Sequence, residues 1–183
     1  MAVDRLASMG CQRAVVVPMF LSNAFHARTD VPLAAAAAQA STGVRLLTTP
    51  PLGTDARLLD ALDRHVSGGR PVVLATAGTS DAAAQADLDA LALTWSLVRD
   101  TEVMVAYASQ SRPSIAEAIE ALRGRTGQEP DIASFMLFDG VLADRIREAA
   151  AGLISSPVLG AEPELVDLVV ERITGASPIA ADR

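Results

Sequence analysis

Short, nearly continuous apolar runs alternate along this chain with longer stretches of alanine, leucine and charged residues at helical spacing. Continuous runs, as opposed to every-other-residue patterns, suit strands covered on both faces, and covered parallel strands need crossover helices between them. The spacing therefore predicts an α/β fold of parallel sheets. Strands are expected at Ala14–Phe20, Val44–Thr48, Pro71–Ala77, Val103–Ala108, Ile132–Leu137 and Leu153–Ser155. Helices are expected at Asp30–Gln39, Asp55–His65, Asp81–Leu97, Ser114–Arg123, Val141–Ala150 and Pro163–Ile173, with a further one at Ala2–Met9 closed by Gly10. Thr54, Ser80 and Ser111, the last with Pro113 just inside, offer a cap oxygen or a preset φ at three helix starts.

Composition narrows the function classes. At 183 residues and 50% hydrophobic the chain holds one ordinary folded domain or two small ones. A mean hydropathy of +0.31 raises the question of a membrane, but the uncharged run Ala14–Ala27 is too short to span and carries Pro18, Ser22 and Asn23. With Asp4 and Arg5 opening the chain, no secretory leader is read, and the expected compartment is the cytoplasm. The lone Cys11 excludes an internal disulfide framework and a multi-thiolate zinc site. A net charge of -7, with dispersed arginines and one Trp and one Tyr, argues against nucleic acid as a partner.

The chain also resembles itself. Pro51-Leu52-Gly53-Thr54-Asp55 returns as Pro157-Val158-Leu159-Gly160-Ala161-Glu162, with the prolines one place out of step. Upstream of each copy stand Met19-Phe20-Leu21-Ser22-Asn23-Ala24 and Phe135-Met136-Leu137-Phe138-Asp139-Gly140. The reading is two pseudo-repeated halves, the first incomplete. Residues 1–69 form the carboxyl-terminal part of the first half, 70–175 the complete second half, and 176–183 a flexible tail. Only two strand-helix units remain in the first half against four in the second, and the counterpart of Ala77 falls before Met1. The chain is expected to be truncated at its amino end, and the open sheet edge to invite self-association.

These phrases resemble the sirohydrochlorin chelatases of siroheme and cobalamin biosynthesis, which insert Fe²⁺ or Co²⁺ into a reduced tetrapyrrole. Val17-Pro18-Met19-Phe20-Leu21-Ser22-Asn23-Ala24-Phe25-His26-Ala27-Arg28-Thr29-Asp30-Val31-Pro32 is similar to the family phrase Pro-x-Phe-Leu-x-x-Gly-x-His-x-x-x-Asp-Ile/Val-Pro. Leu52-Gly53, Leu159-Gly160, Ala77-Gly78-Thr79-Ser80-Asp81 and Pro113-Ser114-Ile115-Ala116-Glu117-Ala118 resemble further signatures of two-repeat members. The resemblance implies a chelatase-like α/β fold, a sirohydrochlorin-type tetrapyrrole as partner, Co²⁺ or Fe²⁺ as metal substrate, and no organic cofactor. It makes His26 the residue that takes the metal and helps remove pyrrole protons, and Asn23, Arg28, Gly78 and Thr79 substrate contacts. Neutral imidazole binds Co²⁺ and Fe²⁺ yet releases them to four macrocycle nitrogens, and its pKa suits proton transfer.

Two positions depart from the pattern. Ala24 stands where the family has glycine, and Ala77 stands where a strand ends in histidine. The family's first-half His-Gly-Ser strand has no counterpart in the chain, so the implied chelatase is expected to be impaired. The alternative is a noncatalytic tetrapyrrole- or metal-binding domain that has lost the first-half histidine; a fragment of an intact enzyme is a third reading.

Several residues keep two readings. Asp30, four places after His26, either orients the imidazole as a carboxylate partner or caps the helix before Val31-Pro32. Arg28 either meets substrate carboxylates or is a solvated surface arginine. The Gly78–Asp81 turn either binds an anion or is a capped strand-to-helix turn. No lysine exists anywhere in the chain and the glycine spacing is wrong, so that turn is not a phosphate loop. His65 ends an amphipathic helix and is assigned no chemistry.

Overall fold

A computed structural model describes residues 2–22 and 26–176, with the side chain of His26 outside the described set. In chain order the elements are α1 (Ala2–Ser8), β1 (Arg13–Val16), a π-helical turn (His26–Asp30), α2 (Val31–Thr42), β2 (Arg45–Thr48), α3 (Arg57–Asp63), β3 (Val72–Thr76), α4 (Ala82–Arg99), β4 (Val103–Tyr107), α5 (Ile115–Thr126), β5 (Asp131–Ser134), α6 (Val141–Ala149) and α7 (Pro163–Ala176). Packing divides them into two compact units. One runs to Gly53 and takes in the residues from Val166 onward; the other is Thr54–Leu165. The α/β class with parallel pairing is as expected from the alternating runs. The reading by repeat divides the chain at 69–70, whereas the compact units group α3 with β3 and most of α7 with the first unit.

In the unit Thr54–Leu165 the sheet order is β4-β3-β5, all parallel, with Val72 opposite Val103 on one side and Asp131 on the other. Every residue of β3 and β5 is buried. Val73, Ala75 and Ile132 pack with Ile115, Ile119 and Leu122 of α5 and Ile146 of α6. Strand alternation sends Val72 and Leu74 to the opposite face, which is why β3 is apolar without interruption.

Leu153–Ser155, expected as a sixth strand, makes a single parallel bridge from Ser155 to Ile132. Ile132 N–H reaches Ile154 O and Ser156 N–H reaches Ile132 O, both at 2.8 Å. The next rung is taken by a side chain, as Ser134 N–H donates to Ser156 Oγ at 2.8 Å. Pro157 comes next, with no N–H to continue the ladder. Strand β1 likewise stops at Val16, short of the expected Phe20, because Pro18 intervenes.

The helix caps lie one to three residues beyond those read from sequence. Asp81, not Ser80, accepts from Ala83 and Ala84 N–H at 3.0 and 3.1 Å. Ser114, not Ser111, caps α5 in a box with Glu117. For α3 the cap position is Ala56, which has no side-chain oxygen, and Asp55 just before it, not Thr54, accepts from Arg57 N–H at 3.0 Å. In each case a polar oxygen closer to the free N–H groups takes the bond.

Two side-chain networks secure α3 within this unit. Asp63 accepts from Trp95 Nε1–H at 3.1 Å and pairs with Arg99, which lies 5.4 Å over the Trp95 ring and donates to Ser67 O. Just past α3, Arg64 grips Glu164 and Glu162 at 2.6 Å each, with His65 3.5 Å from Glu162. Hydrogen bonding to Arg64 holds the Glu164 carboxyl at a pKa of about 2. Its ordinary value is about 4.3, so the grip is whole above that range and is lost as pH falls from about 4.5 towards 2. The Glu164 carboxyl carbon, followed by NMR, is expected to titrate near pH 2 and to return to the ordinary range in Arg64→Gln; an ordinary midpoint in the wild type would contradict the grip.

The other unit is thinner. Strands β1 and β2 pair in parallel, Arg13 opposite Arg45 through Val16 opposite Thr48, and among the described residues no strand lies on either outer edge. None of the residues of α1 or α2 is buried. Arg45 N–H reaches Gln12 O and Thr49 N–H reaches Val16 O, so the even-numbered residues of β1 turn their peptide groups to β2. By alternation Arg13 and Val15 turn theirs to the open edge, where Cys11 Sγ–H reaches Arg13 O at 3.0 Å.

Candidate functional site

Ligands of open parallel sheets gather where the carboxyl ends of the strands emerge. In the first unit two segments emerge there, 17–22 from β1 and 49–53 from β2. Thr49 N–H donates to Val16 O and Gly53 N–H to Phe20 O, both at 3.0 Å, while Phe20 N–H reaches Pro18 O at 2.9 Å. Thr49 is buried, and its hydroxyl donates to Pro50 O at 2.9 Å; Leu52 is buried beside it. Gly53 takes φ +74, a backbone that glycine adopts freely. The segment 49–53 is thus a shelf joined at two points to the exit of β1.

Past that exit the π-helical turn begins on His26 and runs directly into α2. A π turn closes i→i+5 bonds and admits one more residue than an α turn, an insertion often found at functional positions. Ala27 is buried and Arg28 is exposed. Asp30 stands at the N-cap position of α2 with helical backbone, and its side chain makes no capping hydrogen bond there. Pro32 in the first turn needs no donor partner, so the helix starts without one. Asn23 and the side chain of His26 lie outside the described residues.

In the second unit the exit of β3 is Ala77-Gly78-Thr79. Ser109 Oγ–H donates to Ala77 O at 2.8 Å, and Ser111 Oγ accepts from Thr79 N–H at 3.1 Å and donates to Thr79 O at 2.8 Å. Gln85 Nε2 also donates to Thr79 O, at 2.6 Å, and Thr79 Oγ1 accepts from Asp81 N–H at 3.1 Å. The polar groups of Thr79 are therefore engaged in a capped strand-to-helix turn. Gly78 has φ +116, and a Cβ there would lie 2.4 Å from Ser109 O. Gly78→Ala is therefore expected to cost about 2–4 kcal/mol, strain and backbone displacement together. Urea unfolding followed by the single Trp95 checks this; a cost below about 0.5 kcal/mol would show that the turn yields freely.

The exit of β5 repeats the bonds of the first unit. Leu159 N–H reaches Met136 O at 2.8 Å and Gly160 N–H reaches Leu137 O at 3.0 Å, as Gly53 reaches Phe20. Buried Ser156 donates its hydroxyl to Pro157 O at 2.9 Å, as Thr49 does to Pro50. In these bonds Pro50 matches Pro157 and Phe20 matches Leu137, so the prolines fall in step. Phe138, just beyond, is 58% exposed at the mouth of this edge.

The serines that tie β3's exit to β4's, and the hydroxyls of Thr49 and Ser156, were not singled out from sequence. The available signal was a Ser/Thr-Pro pair standing before each Leu-Gly. Among the described residues no group of three or more His, Cys, Asp or Glu side chains is placed to hold a metal ion, and no helix is long and apolar enough to cross a membrane.

These features define an α/β protein whose parallel sheets present glycine-tight turns and a histidine-led π turn at their carboxyl edges. The CbiX family model matches residues 1–68 and 71–176, and the chain belongs to that family. It is 27% identical over 150 residues to the sirohydrochlorin ferrochelatase of Priestia megaterium, covering 76% of this chain and 56% of that one. It is 42% identical over 87 residues to the chloroplastic sirohydrochlorin ferrochelatase of Arabidopsis thaliana, covering 43% of this chain and 39% of that one. The chain thus spans about half the length of these curated relatives. Among solved structures, SirB from Bacillus subtilis with Fe³⁺ superposes with a TM-score of 0.76 at 22% identity, over 97% of this chain and 77% of that one. The cobalt complex of SirB from Bacillus subtilis subspecies spizizenii gives 0.77 at 20% identity, over 98% and 76%. The resemblance drawn from the His26 phrase is borne out at the level of family and fold.

Proposed function

We propose that this chain takes part in inserting Co²⁺ or Fe²⁺ into a sirohydrochlorin-type tetrapyrrole, acting in the cytoplasm, with His26 as the residue that receives the ion. The observation that carries this is the placement of the His26 backbone, at the first position of a π turn reached from the carboxyl end of a parallel strand. The chelatase names of its relatives support the same chemistry. Insertion of a divalent ion expels the two protons of the inner pyrrole N–H groups. Neutral imidazole binds the ion weakly enough to surrender it to four ring nitrogens, and once free it accepts one of those protons while the other passes to water.

Asp30, four places after His26, is proposed as the carboxylate that orients the imidazole, and exposed Arg28 as a contact for the acid groups of the substrate. Asn23, Gly78 and Thr79 complete the proposed substrate contacts, Gly78 and Thr79 as part of the β3 exit turn that Ser109 and Ser111 hold in place. The bond pattern shared by the two Leu-Gly shelves supports two equivalent halves. Absorbance-monitored insertion of Co²⁺ into sirohydrochlorin by the full chain tests the activity. The expected result is a rate above the uncatalysed one; an equal rate would refute catalysis by this chain.

Self-association through β1 belongs to the same proposal. The peptide groups of Arg13 and Val15 face an edge with no strand beside it among the described residues, and edge-to-edge pairing would satisfy them. Light scattering is expected to give a mass above the 19.0 kDa of one chain. Val15→Pro removes an N–H that β2 does not use, so it is expected to return the chain to a monomer with its fold kept. A wild-type monomer would contradict this.

A further inference from the structure

We infer that Arg172 is a positioning residue for the described segment 17–22 that precedes His26 in the chain, an inference that rests on the function proposed for His26. Arg172 lies in α7, and its side chain is about three-quarters covered, with 24% exposed. Its Nε–H donates to Pro51 O at 3.3 Å and Nη2 to Leu52 O at 3.4 Å, and Nη1 lies 3.7 Å from Glu171. A planar guanidinium fork suits two successive carbonyls, whereas an ammonium on a lysine stem supplies a single point of donation.

Those carbonyls belong to the 49–53 shelf. Gly53, the next residue, donates to Phe20 O, and Phe20 stands six positions before His26. Two hydrogen-bonded steps therefore connect a guanidinium far along the chain to the exit of β1. The matching Leu159-Gly160 shelf of the other unit is also followed by a grip, there of Arg64 on Glu162 and Glu164. Each shelf thus has an arginine contributed from a distant stretch of sequence. Pro50 and Pro51 have no N–H to donate, so these two residues of the shelf can be hydrogen-bonded only through their carbonyls, and Arg172 takes that of Pro51.

The test uses the full chain with Arg172→Met and Arg172→Lys. Amide hydrogen exchange at Gly53 reports the shelf, and Co²⁺ titration of the His26 ring by NMR reports the site. The chain has two histidines, so a His65→Asn background identifies the His26 signals. Arg172→Met is expected to speed Gly53 exchange and to weaken His26-dependent Co²⁺ binding about tenfold. Arg172→Lys is expected to lie between Met and wild type, and it decides the matter should the Met variant fail to fold. Folded variants with wild-type Gly53 exchange and wild-type Co²⁺ affinity would overturn the inference. Faster Gly53 exchange with unchanged Co²⁺ affinity would confine Arg172 to a structural role and overturn it too. Absence of His26-dependent Co²⁺ binding in the wild type would instead overturn the proposed role of His26, and the positioning role with it.

Discussion

Asp131→Ala is expected to destabilise the unit Thr54–Leu165 by about 2–4 kcal/mol. Asp131 opens β5 and is fully buried, with Oδ2 accepting from Ser67 N–H at 2.6 Å. Oδ1 lies 3.3 Å from Arg70 Nε but has no hydrogen-bond partner among the described residues. Removal of the carboxylate leaves the Ser67 N–H without its acceptor and opens a void beside β3. Arg70 limits the loss, because it is a third exposed and already donates to Glu129 O at 2.9 and 2.7 Å. The cost therefore falls below that of breaking a pair buried on both sides.

Asp131→Asn is expected to cost less, about 1–2 kcal/mol, since its amide oxygen still accepts from Ser67 while the charge opposite Arg70 is gone. Urea unfolding read by Trp95, which is buried in the same unit, measures both. Alanine and asparagine variants equal to wild type would show that the 64–70 segment needs no acceptor at this point.

Asp131 also marks where sequence reading reached its limit. The strand was legible because Ile132-Ala133 is an apolar run, but a charged residue before it looks like loop, and only the long-range bond from Ser67 explains its burial. The same division runs through the molecule. Strands β2, β3 and β4 and the α-helices α1 to α7 of the described residues were legible within a few residues, since each is written in local periodicity. That the expected strand Leu153–Ser155 shrinks to one bridge was not legible, because Ser156 substitutes a hydroxyl for a ladder carbonyl, and a single side chain does not alter an apolar pattern.

The candidate site divides similarly. The Leu-Gly turns were legible from phrases of adjacent residues, as was the phrase around His26 and Asp30 that marks the family. The π turn was not, since nothing in His26-Ala27-Arg28-Thr29-Asp30 distinguishes it from an α turn. Nor were the serines holding Thr79, or Arg172 at Pro51 and Leu52, because they join residues distant in sequence by bonds that composition does not record.

The role proposed for the His26 imidazole is to hand a divalent ion to the macrocycle and to take a proton from it. His26→Ala removes both the ligand and the base and leaves the backbone free to keep its turn. The most direct measurement is the rate of Co²⁺ insertion into sirohydrochlorin by wild type and His26→Ala at saturating substrate, with circular dichroism confirming an unchanged fold. A fall in turnover of about 10² or more, the usual contribution of a positioned acid-base group, is expected. Equal turnover by the two proteins would contradict it.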